Sequence, residues 1–143
     1  MKQAVSLVTL GVVDLGQSRA FYETLGWTPA PESVEGGVVF FQANGFVLGL
    51  YPQEALTKDM EGHGGNASPG GVTLAQNFPD EDAMHEAYEA FLAAGGSTVR
   101  APFEAPWGKI AYAADPDGHV WEFAHVPGFE PDEAGGLTLP SAR

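Results

Sequence analysis

Ala111-Tyr112-Ala113-Ala114-Asp115-Pro116-Asp117-Gly118-His119-Val120-Trp121-Glu122-Phe123-Ala124-His125 reads as two strands joined by a tight turn. Pro116 presets φ for the turn, Asp115 and Asp117 can bond back to local backbone, and Gly118 accepts positive φ. The run from His119 to Ala124 alternates, so Val120, Glu122 and Ala124 share one face while Trp121 and Phe123 take the other. Glu122 is thus a carboxylate inside an apolar strand. Charged side chains are seldom buried unless paired or bound to a metal, which marks Glu122 as a candidate functional residue. The same pattern also fits an ordinary solvent-facing glutamate on a half-exposed strand.

With 143 residues, 44% of them hydrophobic and 17% charged, the chain has the size and balance of a single globular domain. It has no cysteine, which excludes disulfides, thiolate metal sites and a cysteine nucleophile. The N-terminus runs straight into a strand pattern without a signal peptide's apolar stretch, and no segment approaches the ~20 apolar residues that span a bilayer. A cytoplasmic protein without a membrane partner is expected. Six Lys and Arg stand against nineteen Asp and Glu, a net charge of −13. Such a chain repels phosphate-rich surfaces, so nucleic acid is not an expected partner.

Outward from this stretch, the same order of elements occurs twice. Val8-Thr9-Leu10 recurs 64 residues on as Val72-Thr73-Leu74. After the first copy, a helix pattern from Leu15 through Phe21, Tyr22 and Leu25 stops at Gly26; after the second, one opened by Pro79-Asp80 carries a stripe of Met84, Ala87, Tyr88, Phe91 and Leu92 and stops at Gly95-Gly96. His85 and Glu89 fall off that stripe and read as surface residues. Each helix leads through a Pro-bearing link to a hairpin, the first turning at Asn44-Gly45 and the second at Asp115 to Gly118. A further strand in each copy is placed in the links, near residues 28–36 and 98–103. This pattern predicts an α+β domain over residues 1–143, built of two βαβββ modules forming a curved, mostly antiparallel sheet around a cleft, helices outside. Module one covers residues 4–52, a linker 53–69, module two 70–126 and an acidic tail 127–143. One helical turn is expected at residues 54–58.

Two motifs carry a family resemblance: Leu10-Gly-Val-Val-Asp-Leu-Gly-Gln-Ser-Arg-Ala-Phe-Tyr-Glu-Thr-Leu-Gly-Trp27 and Ala114-Asp-Pro-Asp-Gly-His-Val-Trp-Glu-Phe123. Over residues 4–126 the chain resembles the vicinal oxygen chelate superfamily of glyoxalases, bleomycin resistance proteins and extradiol dioxygenases. The resemblance implies a site in the cleft. In the metal-dependent lyases of that family, ligands come from the first and last strands of each module. Here those positions carry Leu7, Gly71, Gly49 and Glu122, and Glu122 alone offers a donor. A divalent metal needs three or four N or O ligands, so the usual metal centre is not expected. His119 and His125 read as surface residues of opposite parity to Glu122, and His63 falls in a loop.

Alternation within the strands assigns Leu7, Thr9, Val47 and Tyr51 to the cleft face of module one. It assigns Thr73, Val120 and Glu122 to that of module two, with Trp107 and Tyr112 as aromatic walls. The expected function is binding of a small organic molecule without a cofactor. The alternative is a lyase, isomerase or dioxygenase using Glu122 as general base or, with a divalent metal, as its ligand. An interaction module with a vestigial cleft is a third possibility, and a closed core a fourth. Homodimerisation fits the family's habit of pairing modules across subunits.

Overall fold

A computed structural model describes residues 1–63 and 70–142. The chain forms two compact units, Met1–Pro69 and Gly70–Arg143, and the α+β class is found in each. Unit 1 contains β1 (Leu7–Val12), α1 (Leu15–Thr24), β2 (Val39–Gln42), β3 (Val47–Pro52) and α2 (Gln53–Asp59). Unit 2 contains β4 (Leu74–Asn77), α3 (Glu81–Ala93), β5 (Ser97–Ala105), β6 (Gly108–Ala114) and β7 (Val120–His125). The strands hydrogen-bond as two mixed sheets, ordered β1-β3-β2 and β4-β7-β6-β5. In both units the first strand lies parallel to the last, and the remaining neighbours are antiparallel. The duplicated topology is therefore real at the level of hydrogen bonding.

Local chemistry sets the helix ends. The Asp14 side chain accepts from the Gln17 backbone N–H, and Asp80 does the same for Ala83, each satisfying a donor that the first helical turn leaves open. Asp80 is thus the cap, with Pro79 just outside the helix rather than in its first turn. Past the C-terminal ends, Gly26 and Gly95 take positive φ of 95° and 117°, a conformation glycine adopts without steric penalty. The expected turn at 54–58 grows into α2.

Each of α1 and α3 covers one face of its own sheet. Tyr22 meets Phe41 and Trp27 in unit 1. In unit 2, Phe91 meets Trp121 and Phe123, and Tyr88 sets its ring edge-on to Phe123 while its hydroxyl bonds Thr98 at 2.8 Å. Met84, Tyr88 and Phe91 are buried, as the helix stripe predicts. Burying one such side chain is worth about 1.5–3 kcal/mol, so these rings fix which face of each sheet is turned to its helix.

Two expectations need correction. The strand placed at residues 28–36 is reduced to the bridges Pro29–Phe41 and Val34–Val38; three prolines and glycines in that stretch deny it a continuous ladder. Its counterpart in unit 2 is the full strand β5. The Asn44-Gly45 hairpin is found where expected: Gln42 pairs with Val47 and the Ala43 N–H bonds the Phe46 carbonyl across the turn, though of the two turn residues only Gly45 has positive φ. Finally, β4 begins at Leu74, so Val72 and Thr73 precede the ladder instead of opening it. The end of the linker, residues 64–69, lies outside the described residues.

Candidate functional site

The turn ahead of Glu122 is held from inside. Asp115 is only 3% exposed, and its Oδ1 accepts the backbone N–H of both Asp117 and His119 at 2.9 Å. Backbone bonds from Asp115 N to the His119 carbonyl and from Gly118 N to the Asp115 carbonyl close the turn, also at 2.9 Å. Gly118 has φ 87°. This buried bracket sets the register of β7, and β7 sets the direction of Glu122.

Trp121 and Phe123 face α3, so Val120, Glu122 and Ala124 occupy the opposite face of the sheet. Ala75, Glu122, Tyr112 and Arg100 are successive cross-strand partners through β4, β7, β6 and β5. The Tyr112 hydroxyl donates to the Glu122 carboxylate. Burial, the Glu122 charge and that hydrogen bond together push the Tyr112 hydroxyl up from the ordinary phenol value, while Arg100 pulls it down. Tyr112 therefore stays protonated and serves as a donor.

Arg100 and Phe103 complete the face, and sequence alternation alone does not find them. Three residues apart, they would face opposite ways on a regular strand. In β5 the register against β6 shifts between Thr98 and Arg100 and again between Arg100 and Phe103. A bulge adds a residue to one strand and re-aims the side chains that follow. Thr98 thereby reaches Tyr88 on the helix side, whereas the Phe103 ring stacks on Tyr112 (6.4 Å, 22°) and the Arg100 guanidinium lies 3.4 Å from the Phe103 centroid. The available signal was charge: Arg100 is one of six basic residues in a chain of net charge −13.

In unit 1 the face away from α1 carries Leu7, Thr9, Val47, Gly49 and Tyr51. Leu7 pairs with Val47 and Thr9 with Gly49. A Cβ at Gly49 would stand 3.5 Å from the Thr9 hydroxyl and 3.6 Å from Phe40, an ordinary contact distance. The Tyr51 hydroxyl donates to Asp59 Oδ2 of α2 at 3.0 Å, and this bond is the main cause that pushes its pKa up. The four predicted residues thus share a face, with Tyr51 committed to α2. On the helix side of unit 1, a groove of about 670 Å³ is lined by residues including Leu15, Arg19, Pro29, Val34 and Glu35; no predicted site residue lines it.

Other predicted residues stand apart from Glu122. Thr73 is exposed ahead of β4. Trp107, 59% exposed, occupies the tip of the β5–β6 hairpin, five residues or about 16 Å along β6 from Tyr112. His63 is exposed. His125 is half-buried rather than a plain surface residue, its Nδ1 bonding the Phe78 carbonyl at 3.1 Å. Half-buried His119 belongs to the Asp115 turn.

These positions do not fit the metal that the family's lyases use. Unit 1 offers Leu7 and Gly49 at the relevant positions. Unit 2 offers Glu122 and, because Ala75 pairs with Glu122 as Thr9 pairs with Gly49, the counterpart of Leu7 is Thr73 rather than the expected Gly71. Among the described residues no group of three His, Asp or Glu side chains could hold a metal ion. The carboxylate that remains is engaged by a tyrosine. No helix among the described residues is long and apolar enough to cross a membrane.

A sequence profile of the Glyoxalase/Bleomycin resistance protein/Dioxygenase superfamily matches residues 4–123. Among solved structures, the chain is similar to a glyoxalase-related enzyme from Fulvimarina pelagi: 36% identity, 96% of this chain and 99% of that one covered, TM-score 0.86. It is also similar to a glyoxalase/bleomycin resistance protein/dioxygenase from Nocardioides, with 26% identity, coverage of 96% and 91%, and TM-score 0.69. A lactoylglutathione lyase from Agrobacterium tumefaciens shares the fold at 20% identity, coverage of 87% and 95%, and TM-score 0.66. No match is found among curated proteins.

Proposed function

The chain belongs to the Glyoxalase/Bleomycin resistance protein/Dioxygenase superfamily, and from that premise we propose that it binds a small organic molecule on the Glu122 face of unit 2, without the divalent metal of the superfamily's lyases. One observation carries this reading: Glu122 and Tyr112 are direct cross-strand partners on one face of the sheet, beside an aromatic and cationic surface. A few placed polar groups on an otherwise apolar and aromatic lining are the usual make-up of a small-molecule site. Leu7 and Gly49 supply no side-chain donor for a metal, and Thr73 carries none of the His, Cys or carboxylate groups that such sites use. Cytoplasmic residence and pairing as a homodimer go with this reading, and analytical ultracentrifugation checks the second.

The test uses amide chemical shifts, because Trp121 faces the helix and Trp107 sits at a distant hairpin tip, so indole fluorescence reports the site poorly. Titration with a panel of aromatic amines and aromatic acids is expected to move the amides of Tyr112, Glu122 and Arg100. Elemental analysis of the purified protein is the control. Stoichiometric Ni, Zn or Fe, lost in Glu122→Ala, would overturn the metal-free reading.

The Tyr112–Glu122 pair favours one second reading, a metal-free isomerase or lyase. Glu122 would take a proton from carbon beside a carbonyl, and the Tyr112 hydroxyl would turn its single proton from Glu122 to the oxygen that gains charge. In heavy water such an enzyme exchanges that proton for deuterium, and Glu122→Gln abolishes the exchange. Protein that binds the panel with no exchange is a binder only.

A further inference from the structure

We propose that this face selects zwitterions: flat small molecules with a cationic group at Glu122, an anionic group at Arg100, and a ring lying along Tyr112 between them. The inference rests on the binding reading above and adds the chemical class of the ligand. Its starting point is Arg100. Among the described residues, the ion pairs are Arg19 with Glu23 and Lys109 with Glu104, so Arg100 has no carboxylate partner. Its guanidinium is instead laid on the Phe103 ring. That contact fixes the plane of the group by cation–π attraction and leaves the N–H edge, which reads a carboxylate in bidentate fashion, directed away from the ring.

Glu122 is complementary. A carboxylate has about four acceptor positions, and the Tyr112 hydroxyl uses one of them. Glu122, Tyr112 and Arg100 sit on three consecutive strands, so their backbones are separated by two strand spacings, about 10 Å. An aromatic ring with charged substituents at its two ends is of that length. Tyr112, on the strand between them and held by its stacking on Phe103 at 22°, gives the ring a flat partner. A lone anion would meet repulsion from Glu122 and from the net charge of the chain. A lone cation would leave Arg100 unused. A molecule with both charges satisfies each group once.

The experiment is calorimetric titration with four probes that share one ring: 4-(aminomethyl)benzoate, benzylamine, benzoate and benzyl alcohol. The expected result is at least tenfold tighter binding of 4-(aminomethyl)benzoate than of any other probe. Arg100→Gln should erase its advantage over benzylamine, and Glu122→Gln its advantage over benzoate, each variant keeping the wild-type urea midpoint. Equal affinity for benzylamine and the zwitterion, or an advantage that survives Arg100→Gln, overturns the inference while the binding reading stands, provided the Tyr112 and Glu122 amides still shift. If none of the four probes binds, the zwitterion inference falls. If the wider panel is silent as well, the binding reading falls with it.

Discussion

Replacing Asp115 with alanine should destabilise unit 2 by about 2–4 kcal/mol, because one buried oxygen holds two backbone donors. Oδ1 accepts from Asp117 and His119 at 2.9 Å, and the residue is 3% exposed. A hydrogen bond to a charged group is worth about 1.5–3 kcal/mol, and a buried donor left without an acceptor costs about 1–3 kcal/mol. Asp117 and His119 are themselves half-buried, so water recovers part of each loss, and the low end applies per bond. Asp115→Asn keeps an oxygen in place without its charge. Neutral hydrogen bonds are roughly half as strong, so this variant should lose about half as much. Urea unfolding followed by circular dichroism is the assay. With a slope of about 2 kcal/mol per M, the middle of the usual range, the alanine variant's midpoint should fall by about 1–2 M and the asparagine variant's by half that. The reasoning is refuted if alanine stays within about 0.5 kcal/mol of wild type, or if asparagine is no better than alanine.

Three other outcomes follow from single residues. Gly108→Ala should cost about 1–3 kcal/mol or more, since its Cβ would run into the carbonyl oxygen of His125 and stand 3.0 Å from the Val126 Cα; a wild-type urea midpoint would contradict this backbone contact. Ser18→Ala should leave the midpoint unchanged or raise it, because its buried hydroxyl is without a hydrogen-bond partner and alanine is the better helix former by about 0.5 kcal/mol; a loss above that would mean the hydroxyl is bonded after all. Tyr112 keeps its proton longer in the folded chain than in the unfolded one. The stability it lends is complete below the unfolded value near ~10 and drains away as pH rises through the folded value. In alkaline titrations read by the phenolate absorbance, Glu122→Gln should move the Tyr112 step down and Arg100→Gln should move it up, with Tyr112→Phe identifying the step. No movement in either variant would separate these side chains.

Much of the architecture could be read from residue order because the signals were local. Asp14, Asp80, Gly26 and Gly95 cap and stop the helices by contacts within a few residues, and the repeated order of elements supplied the topology, although strands and helix caps align at 66 residues (Asp14 to Asp80) rather than at the 64 of Val-Thr-Leu. Alternation placed Leu7, Thr9, Val47 and Tyr51 on one face and Val120 and Glu122 on another, as the strands have them. Strand ends were less legible. Thr73 looks like strand by composition, yet the parallel ladder to β7 starts at Leu74. Asn44-Gly45 marks the hairpin correctly, yet the ladder itself ends at Gln42 and Val47. The site was legible only where alternation holds. Arg100 and Phe103 are brought to one face by two bulges, and a bulge depends on pairing with β6 rather than on the composition of β5. The grip of the Phe78 carbonyl on His125 spans 47 residues and had no local signature.

The irregular course of β5 also bears on solubility. This strand terminates the hydrogen-bonded order of its sheet, and at nine residues (Ser97–Ala105) it is the longest in the molecule. A long, straight outer strand invites pairing with foreign chains. Twice kinked, carrying a guanidinium and interrupted by Pro102, β5 offers an intruder no continuous row of donors and acceptors. Engineering that straightened it to tidy the fold would create a sticky margin, and protein stored at high concentration would begin to form fibres.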